Sequence, residues 1–383
     1  MAGFFACCKF ATARGGKLAR QSRSVRIRDA LRATFGFYRT NGCPFQPRPG
    51  VRLEPIHSNS PAQSGGASTS TSTSATRHGS RLRRIFFGHD GLRAPWGVLL
   101  FTAIFVGAIA GFAFVSHRLL PMPADDQALP VANGAAMEAM QLASVALATI
   151  VLAWIERRSP FSYGLRGRAR ASRFAAGVAC GFAAISALVF ALWQAGLLRF
   201  DAPAIHGIRA WEYAAVWAVM FLMTGIFEES LLRGYLLYTL ARWLGFWRGA
   251  VLLSALFGVL HVVSPDESIM GLASAMLFGL VFCLSLWYTG SLWWAIGFHA
   301  AWDWSESYFY GAPDSGRLVE GVRLTAHPVG HALLSGGAAG PEGSVLVVPL
   351  LVVVVLAMRR WWGRDGRASR FEWRSIGGRE AQR

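Results

Sequence analysis

Eight apolar stretches follow one another after Arg81, at about 96–116, 136–155, 174–198, 213–240, 249–263, 268–288, 291–309 and 344–362. Each is long enough, or nearly so, to span the roughly 30 Å of hydrocarbon in a bilayer. The fifth is short. The fourth is too long for a bare span and is expected to tilt or to project beyond the bilayer. Composition agrees: apolar residues make up 53% of the 383 and charged residues 15%, against roughly 25% charged in an average soluble protein. A soluble chain of this composition would lack the polar side chains to cover its surface. A mostly disordered protein, a coiled coil and a disulfide-stapled secreted domain are excluded. The expected fold class is all-α, a polytopic membrane protein of about eight transmembrane helices.

Charge predicts the topology. Lys+Arg number 38 and Asp+Glu 21, a net charge of +17, and only Lys9 and Lys17 are lysines. Arg81, Arg83, Arg84 and Arg93 precede the first span, and Arg157, Arg158, Arg166, Arg168, Arg170 and Arg173 follow the second. Arg242 and Arg248 follow the fourth, and eight arginines from Arg359 to Arg383 close the chain. Alternate loops are neutral or acidic, with Asp125 and Asp126 in one and Asp266 and Glu267 in another. Arginine-rich loops stay in the cytoplasm, so both termini are expected there. Phosphate binding is the weaker explanation of the basic balance, and no nucleic-acid partner is expected. The arginine-rich, lysine-poor usage points to a GC-rich genome, hence to a bacterial inner (cell) membrane.

The flanks differ from the spans. Residues 1–80 hold twelve basic and two acidic residues, and Ser68 to Ser74 is wholly Ser and Thr. Such a stretch cannot bury enough apolar area to order itself and reads as a disordered basic tail. It lacks the apolar core of a signal peptide. Its acid-poor composition resembles an organellar transit peptide, and a mis-assigned start is an alternative origin. Residues 81–362 form the helical membrane domain, and 363–383 read as a basic cytoplasmic tail. Cys7, Cys8, Cys43, Cys180 and Cys283 form no CxxC pair, so neither a zinc knuckle nor a redox motif is supported.

Ionisable residues inside spans are functional candidates because burying them is costly. Most cluster in three spans. The fourth contains Glu228, Glu229 and Arg233; the fifth Phe257 and His261; the seventh His299 and Asp303. Glu229 and Arg233, at i and i+4, share a helix face and are expected to pair. Glu228 is five residues from Arg233, about 140° around the helix at roughly 100° per residue, and is expected to point elsewhere and stay free. His299 and Asp303 are again i and i+4, so Asp303 can orient the ring. Phe257 lies one turn from His261 on the same face. Counting about 1.5 Å of rise per residue from the arginine-marked ends puts Glu228, His261, His299 and Asp303 in one layer. A packing role for each residue alone is as good an explanation; a shared layer from three helices favours a site.

These segments resemble the intramembrane proteases of the CAAX prenyl protease and bacteriocin-processing (CPBP, or Abi) family. Its EExxxR motif corresponds to Glu228, Glu229 and Arg233, its FxxxH motif to Phe257 and His261, and its HxxxN motif to His299 and Asp303. The resemblance covers about residues 90–362, most specifically 213–309. It implies an eight-helix membrane endopeptidase cutting near the membrane face, with Glu228 as general base, His261 helping to hold the water and His299 stabilising the oxyanion. Glu229 and Arg233 would hold the helix face in place. The departure is at 303, where the family commonly has Asn: an ionised carboxylate cannot donate to an oxyanion, so Asp303 is expected to orient His299. Glu306, one turn on, has no role in this scheme.

No cofactor is required, with the catalytic set Glu228, Glu229, His261, His299 and Asp303 supported by Arg233 and Phe257. The rival chemistry is a zinc site built from two His and carboxylates, although no HExxH signature exists. His327 and His331, also i and i+4, lie in a Gly- and Pro-rich loop and read as solvated. Trp293, Trp294, Trp302 and Trp304 read as interfacial or packing residues. The expected partners are a protein or peptide substrate and the lipid bilayer. A membrane transporter using the polar layer, or a catalytically idle scaffold, are the non-enzymatic alternatives; no internal repeat supports the transporter.

Overall fold

A computed structural model describes residues 86–88, 91–119, 130–167, 169–203, 205–264 and 266–363. The predicted tail 1–80, nearly all of 363–383, and the loop carrying Asp125 and Asp126 lie outside the described residues.

Each predicted span is a helix. A backbone in hydrocarbon has no water to bond, so the helix, which satisfies its own N–H and C=O groups, is the available solution. After a short hairpin (β1, Phe87–Gly88; β2, Gly91–Leu92) come α1 (Ala94–Leu119), α2 (Val131–Ile155) and α3 (Arg170–Gln194). Strand β3 (Leu198–Phe200) precedes α4 (Gly207–Glu229), which continues through a π-helical segment, Ser230–Leu236, into α5 (Leu237–Leu244). Helices α6 (Phe246–His261), α7 (Ile269–Thr289) and α8 (Trp293–Asp303) follow, and α8 runs on as a second π-helical segment, Trp304–Phe309. The loop beyond carries β4 (Ala326–Pro328) and α9 (Ala332–Ser335), and α10 (Val347–Trp362) ends the described chain.

Five helices are long and apolar enough to cross a membrane: Ala94–Ser116, Val131–Ile155, Arg170–Gln194, Gly207–Leu244 and Ile269–Thr289. The fourth is 38 residues long, which fits the expectation of a helix exceeding the bilayer. Helix α6 has 16 residues and ends at His261. At about 1.5 Å per residue it falls short of a roughly 30 Å hydrocarbon core. Large apolar side chains such as Leu99, Phe114, Trp154, Phe190, Trp211 and Val353 are exposed on the helices, as contact with lipid tails requires.

Two large cores, with a smaller cluster of Trp217, Met220, Tyr308 and Val319, organise the helices. One is built around Phe101, Phe227, Leu232, Tyr235 and Leu253, the other around Ile185, Leu192, Phe282, Phe298 and Trp302. Trp294 and Trp302 are buried in the second, while Trp293 and Trp304 donate their indole N–H groups to the carbonyls of Leu165 and Ala214. These tryptophans pack, as their composition led us to expect.

The tightest helix approach joins α3 to α8. A Cβ on Gly177 or Gly181 would collide with the carbonyl oxygens of Trp294 and Phe298, and one on Gly297 with that of Phe174. Small residues let helix backbones meet where the hydrophobic effect does not drive association. Gly181→Val is therefore expected to lower stability by about 1–3 kcal/mol, the usual range for overpacking. Thermal unfolding in detergent measures it; an unchanged melting temperature would show that the two helices can separate freely.

The segment 310–346 is clasped onto one end of the helices. Strand β4 pairs antiparallel with β3, with Arg199 opposite His327. Glu320 accepts from the Val131 N–H at 2.9 Å through its side chain and from the Trp217 indole at 3.0 Å through its carbonyl. Arg323 donates to the Ile205 carbonyl at 2.6 Å.

Candidate active site

The two adjacent acids on α4 share His299 as a partner, but only Glu229 also meets Arg233. Arg233 Nη1 donates to Glu229 Oε1 at 3.1 Å, and both side chains are wholly inaccessible. The guanidinium lies over the Phe257 ring at 4.6 Å and the Phe282 ring at 5.6 Å. A buried charge needs such partners, and the aromatic faces supply attraction that the carboxylate leaves unmet. The pairing occurs at the entry to the π-helical segment, where Gly234 leaves helical geometry at φ −80° and ψ −125°. Such π-helical interruptions recur at functional sites.

Glu228 turns away from Arg233, as helical periodicity requires, but is not free. Its Oε2 lies 3.4 Å from His299 Nε2. His299 Nδ1 is 3.2 Å from Glu229 Oε1, and Nε2 is 3.5 Å from Asp303 Oδ2. One imidazole thus joins all three carboxylates, and the Phe282 ring stacks on it with centroids 5.4 Å apart. Among the described residues only Nδ1 is hydrogen-bonded, and Glu228 Oε2 is buried without a hydrogen-bond partner.

His261 Nδ1 lies 2.7 Å from the carbonyl oxygen of Phe257. A carbonyl only accepts, so Nδ1 carries the hydrogen and Nε2 keeps its lone pair. The F-x-x-x-H spacing therefore has two structural consequences: the Phe ring sits under Arg233, and its carbonyl fixes the His tautomer.

Glu228, Phe257, His261, His299 and Asp303 line one cavity of about 130 Å³. Glu229 and Arg233 stand behind its wall. Three elements beyond those in the motifs also contribute: α2 through Glu138, α7 through Phe282, and the clasped loop through Asp314 and Glu342. Glu138, whose Oε2 is buried without a hydrogen bond, was missed because it has no motif partner, although an acid within an apolar span was itself a signal. Asp314 and Glu342 could not be found, since nothing in a 37-residue loop says where it folds back. Burial raises the Asp314 carboxyl, and burial with Asp314 and Glu267 nearby raises Glu342 to about 8. Among the described residues, no group of three or more His, Cys, Asp or Glu is placed to hold a metal ion.

Two remaining residues are placed elsewhere. Glu306 does not line the cavity; its Oε1 accepts from the Glu342 N–H at 3.3 Å and holds the loop. His327 Nε2 donates to Asp201 Oδ2 at 2.7 Å on an exposed surface, and His331 caps α9 by accepting from the Leu333 N–H.

Residues 209–305 match the family model of Rce1-like type II CAAX prenyl endopeptidases, the family that the three motifs resemble. The match begins in α4, ends just past α8 and contains every residue of the motifs. No curated protein and no solved structure was found to match the chain. With its apolar helices, the match supports an integral membrane protein of the CAAX-type intramembrane protease class.

Proposed function

With the Rce1-like segment supplying Glu228, His261 and His299 to the cavity, we propose that this chain is an intramembrane endopeptidase in which Glu228 activates a water for attack on a peptide carbonyl. One observation carries the proposal: Glu228 Oε2, which makes no hydrogen bond, and the proton-free His261 Nε2 border the same cavity. A water there would donate one hydrogen to each. Its oxygen would bond to the carbonyl carbon while Glu228 takes the proton, and the proton would pass to the amine as the C–N bond breaks. The negative charge developing on the carbonyl oxygen needs a positioned donor. His299 Nε2 supplies it, since its contacts with Glu228 and Asp303 leave it without a hydrogen bond. To donate there, the ring must carry a hydrogen on Nε2 as well as the one on Nδ1 that faces Glu229.

Asp303 acts through His299, because a carboxylate beside an oxyanion would repel it. Glu229 holds Nδ1 and Arg233 holds Glu229, so the pair positions the ring. We place the protein in a bacterial inner membrane with both termini in the cytoplasm, on the arginine distribution. The substrate is a peptide segment near the membrane face.

The test is cleavage of a quenched fluorescent peptide library by detergent-purified protein, with and without chelator. Turnover that survives chelation is expected. Loss on chelation with recovery on adding zinc would instead make Glu228, His261 and His299 metal ligands. A folded protein that cuts nothing in the library would overturn the proteolytic reading.

A further inference from the structure

The cavity has a direction. From α2 it takes Glu138, eight residues into a helix whose far end runs into Arg157 and Arg158. From α6 it takes His261, the last residue of a helix with Arg248 in its first turn. The clasped loop adds Asp314, Arg317 and Glu342, and α4, α7 and α8 complete the lining through Glu228, Phe282 and Asp303. Glu138 and His261 thus lie toward the ends of α2 and α6 away from their arginines, on the side of the clasped loop.

The opposite direction is closed. Glu228 precedes Arg242 by 14 residues, about 21 Å of helix at roughly 1.5 Å per residue. That interval is filled by Leu232, Tyr235 and Leu237, all buried. Below them Glu156 accepts from Tyr163, Tyr235 and Arg242, each at 3.1 Å. A packed core ending in a satisfied polar cluster leaves no path to that face.

The two faces differ in charge. Among the described residues, Arg93, Arg157, Arg158, Arg166, Arg170, Arg173, Arg242, Arg248, Arg359 and Arg360 mark the closed end, where Glu156 is the acid. The loop end has Arg118, Arg199, Arg209, Arg317 and Arg323, but Asp201, Glu212, Asp266, Glu267, Asp314, Glu320 and Glu342 offset them. Arginine excess in short loops marks the cytoplasmic side.

We infer that the catalytic cavity opens at the non-cytoplasmic face, so its substrate is an extracytoplasmic polypeptide segment, either an exported chain or the outer juxtamembrane stretch of a membrane protein. This rests on the proteolytic reading for the word substrate and on the arginine distribution for the sidedness. A segment confined to the cytoplasm would be separated from Glu228 by the packed inner core.

Two measurements test it. The first labels cysteines in the full chain, with Cys7, Cys8 and Cys43 replaced by serine, using a membrane-impermeant maleimide on intact spheroplasts. Leu318→Cys, on the loop, is expected to be labelled at once, and Trp361→Cys only after permeabilisation; the reverse pattern overturns the inference. The second adds the quenched peptide library to right-side-out and to inverted membrane vesicles, against vesicles lacking the protein. Cleavage is expected at least tenfold faster in right-side-out vesicles, and equal after detergent. Equal rates before detergent, or faster cleavage by inverted vesicles, would overturn the opening proposed here. Absence of cleavage even in detergent would overturn the proteolytic reading, while the labelling alone would still decide which face bears the loop.

Discussion

Glu228→Gln is expected to abolish most cleavage, by about 100- to 10,000-fold in turnover, the usual contribution of a positioned general base. The amide matches the carboxylate in shape but cannot take a proton from water. Stability should change far less than activity, because Glu228 Oε2 has no hydrogen bond to lose, Asp303 still faces His299 Nε2 when the 3.4 Å contact of Glu228 loses its charge, and a neutral amide is less costly to bury than a charge. Activity and melting temperature should therefore separate: rate collapses while the unfolding transition stays. Glu229→Gln differs, since that residue holds both Arg233 and His299. If Glu228→Gln turned over like the wild type, the water would have to be activated by another group, and the assignment of Glu228 would be wrong.

Arg233→Met is expected to destabilise the protein by about 3–5 kcal/mol, the loss typical of breaking a buried ion pair from one side. Glu229 would be left charged and wholly inaccessible, and the guanidinium over Phe257 and Phe282 would be gone. Pairing the change with Glu229→Leu should recover much of that stability, because apolar replacement of both partners is often neutral. It should not recover turnover, because His299 Nδ1 would still lack its acceptor. Thermal unfolding of the single and double variants, read beside the cleavage assay, separates the two roles. A single variant as stable as the wild type would show that Arg233 does not hold Glu229 in solution.

Within one helix the sequence was enough. Periodicity paired Glu229 with Arg233 and set His299 near Asp303, and apolar length placed all eight helices. It also turned Glu228 away from Arg233, but not toward its neighbour, for His299 belongs to another helix. The same limit hid Glu138, and it left Glu306 without a role until the loop was seen folded against it. The short α6 shows a different gap: hydropathy marked an apolar run, yet the helix stops at His261, where the cavity begins.

What the sequence determined by itself was therefore the helices, their charge-marked ends and the neighbours that a 3.6-residue repeat brings to one face, because these depend on local geometry and on transfer from water to lipid. What only the tertiary structure decided was which faces meet. Gly177, Gly181 and Gly297 let α3 and α8 touch backbone to backbone, and that approach helps set where His299 stands relative to Glu228. Contacts between helices depend on shape complementarity across many residues, and no single repeat or motif along the chain encodes it.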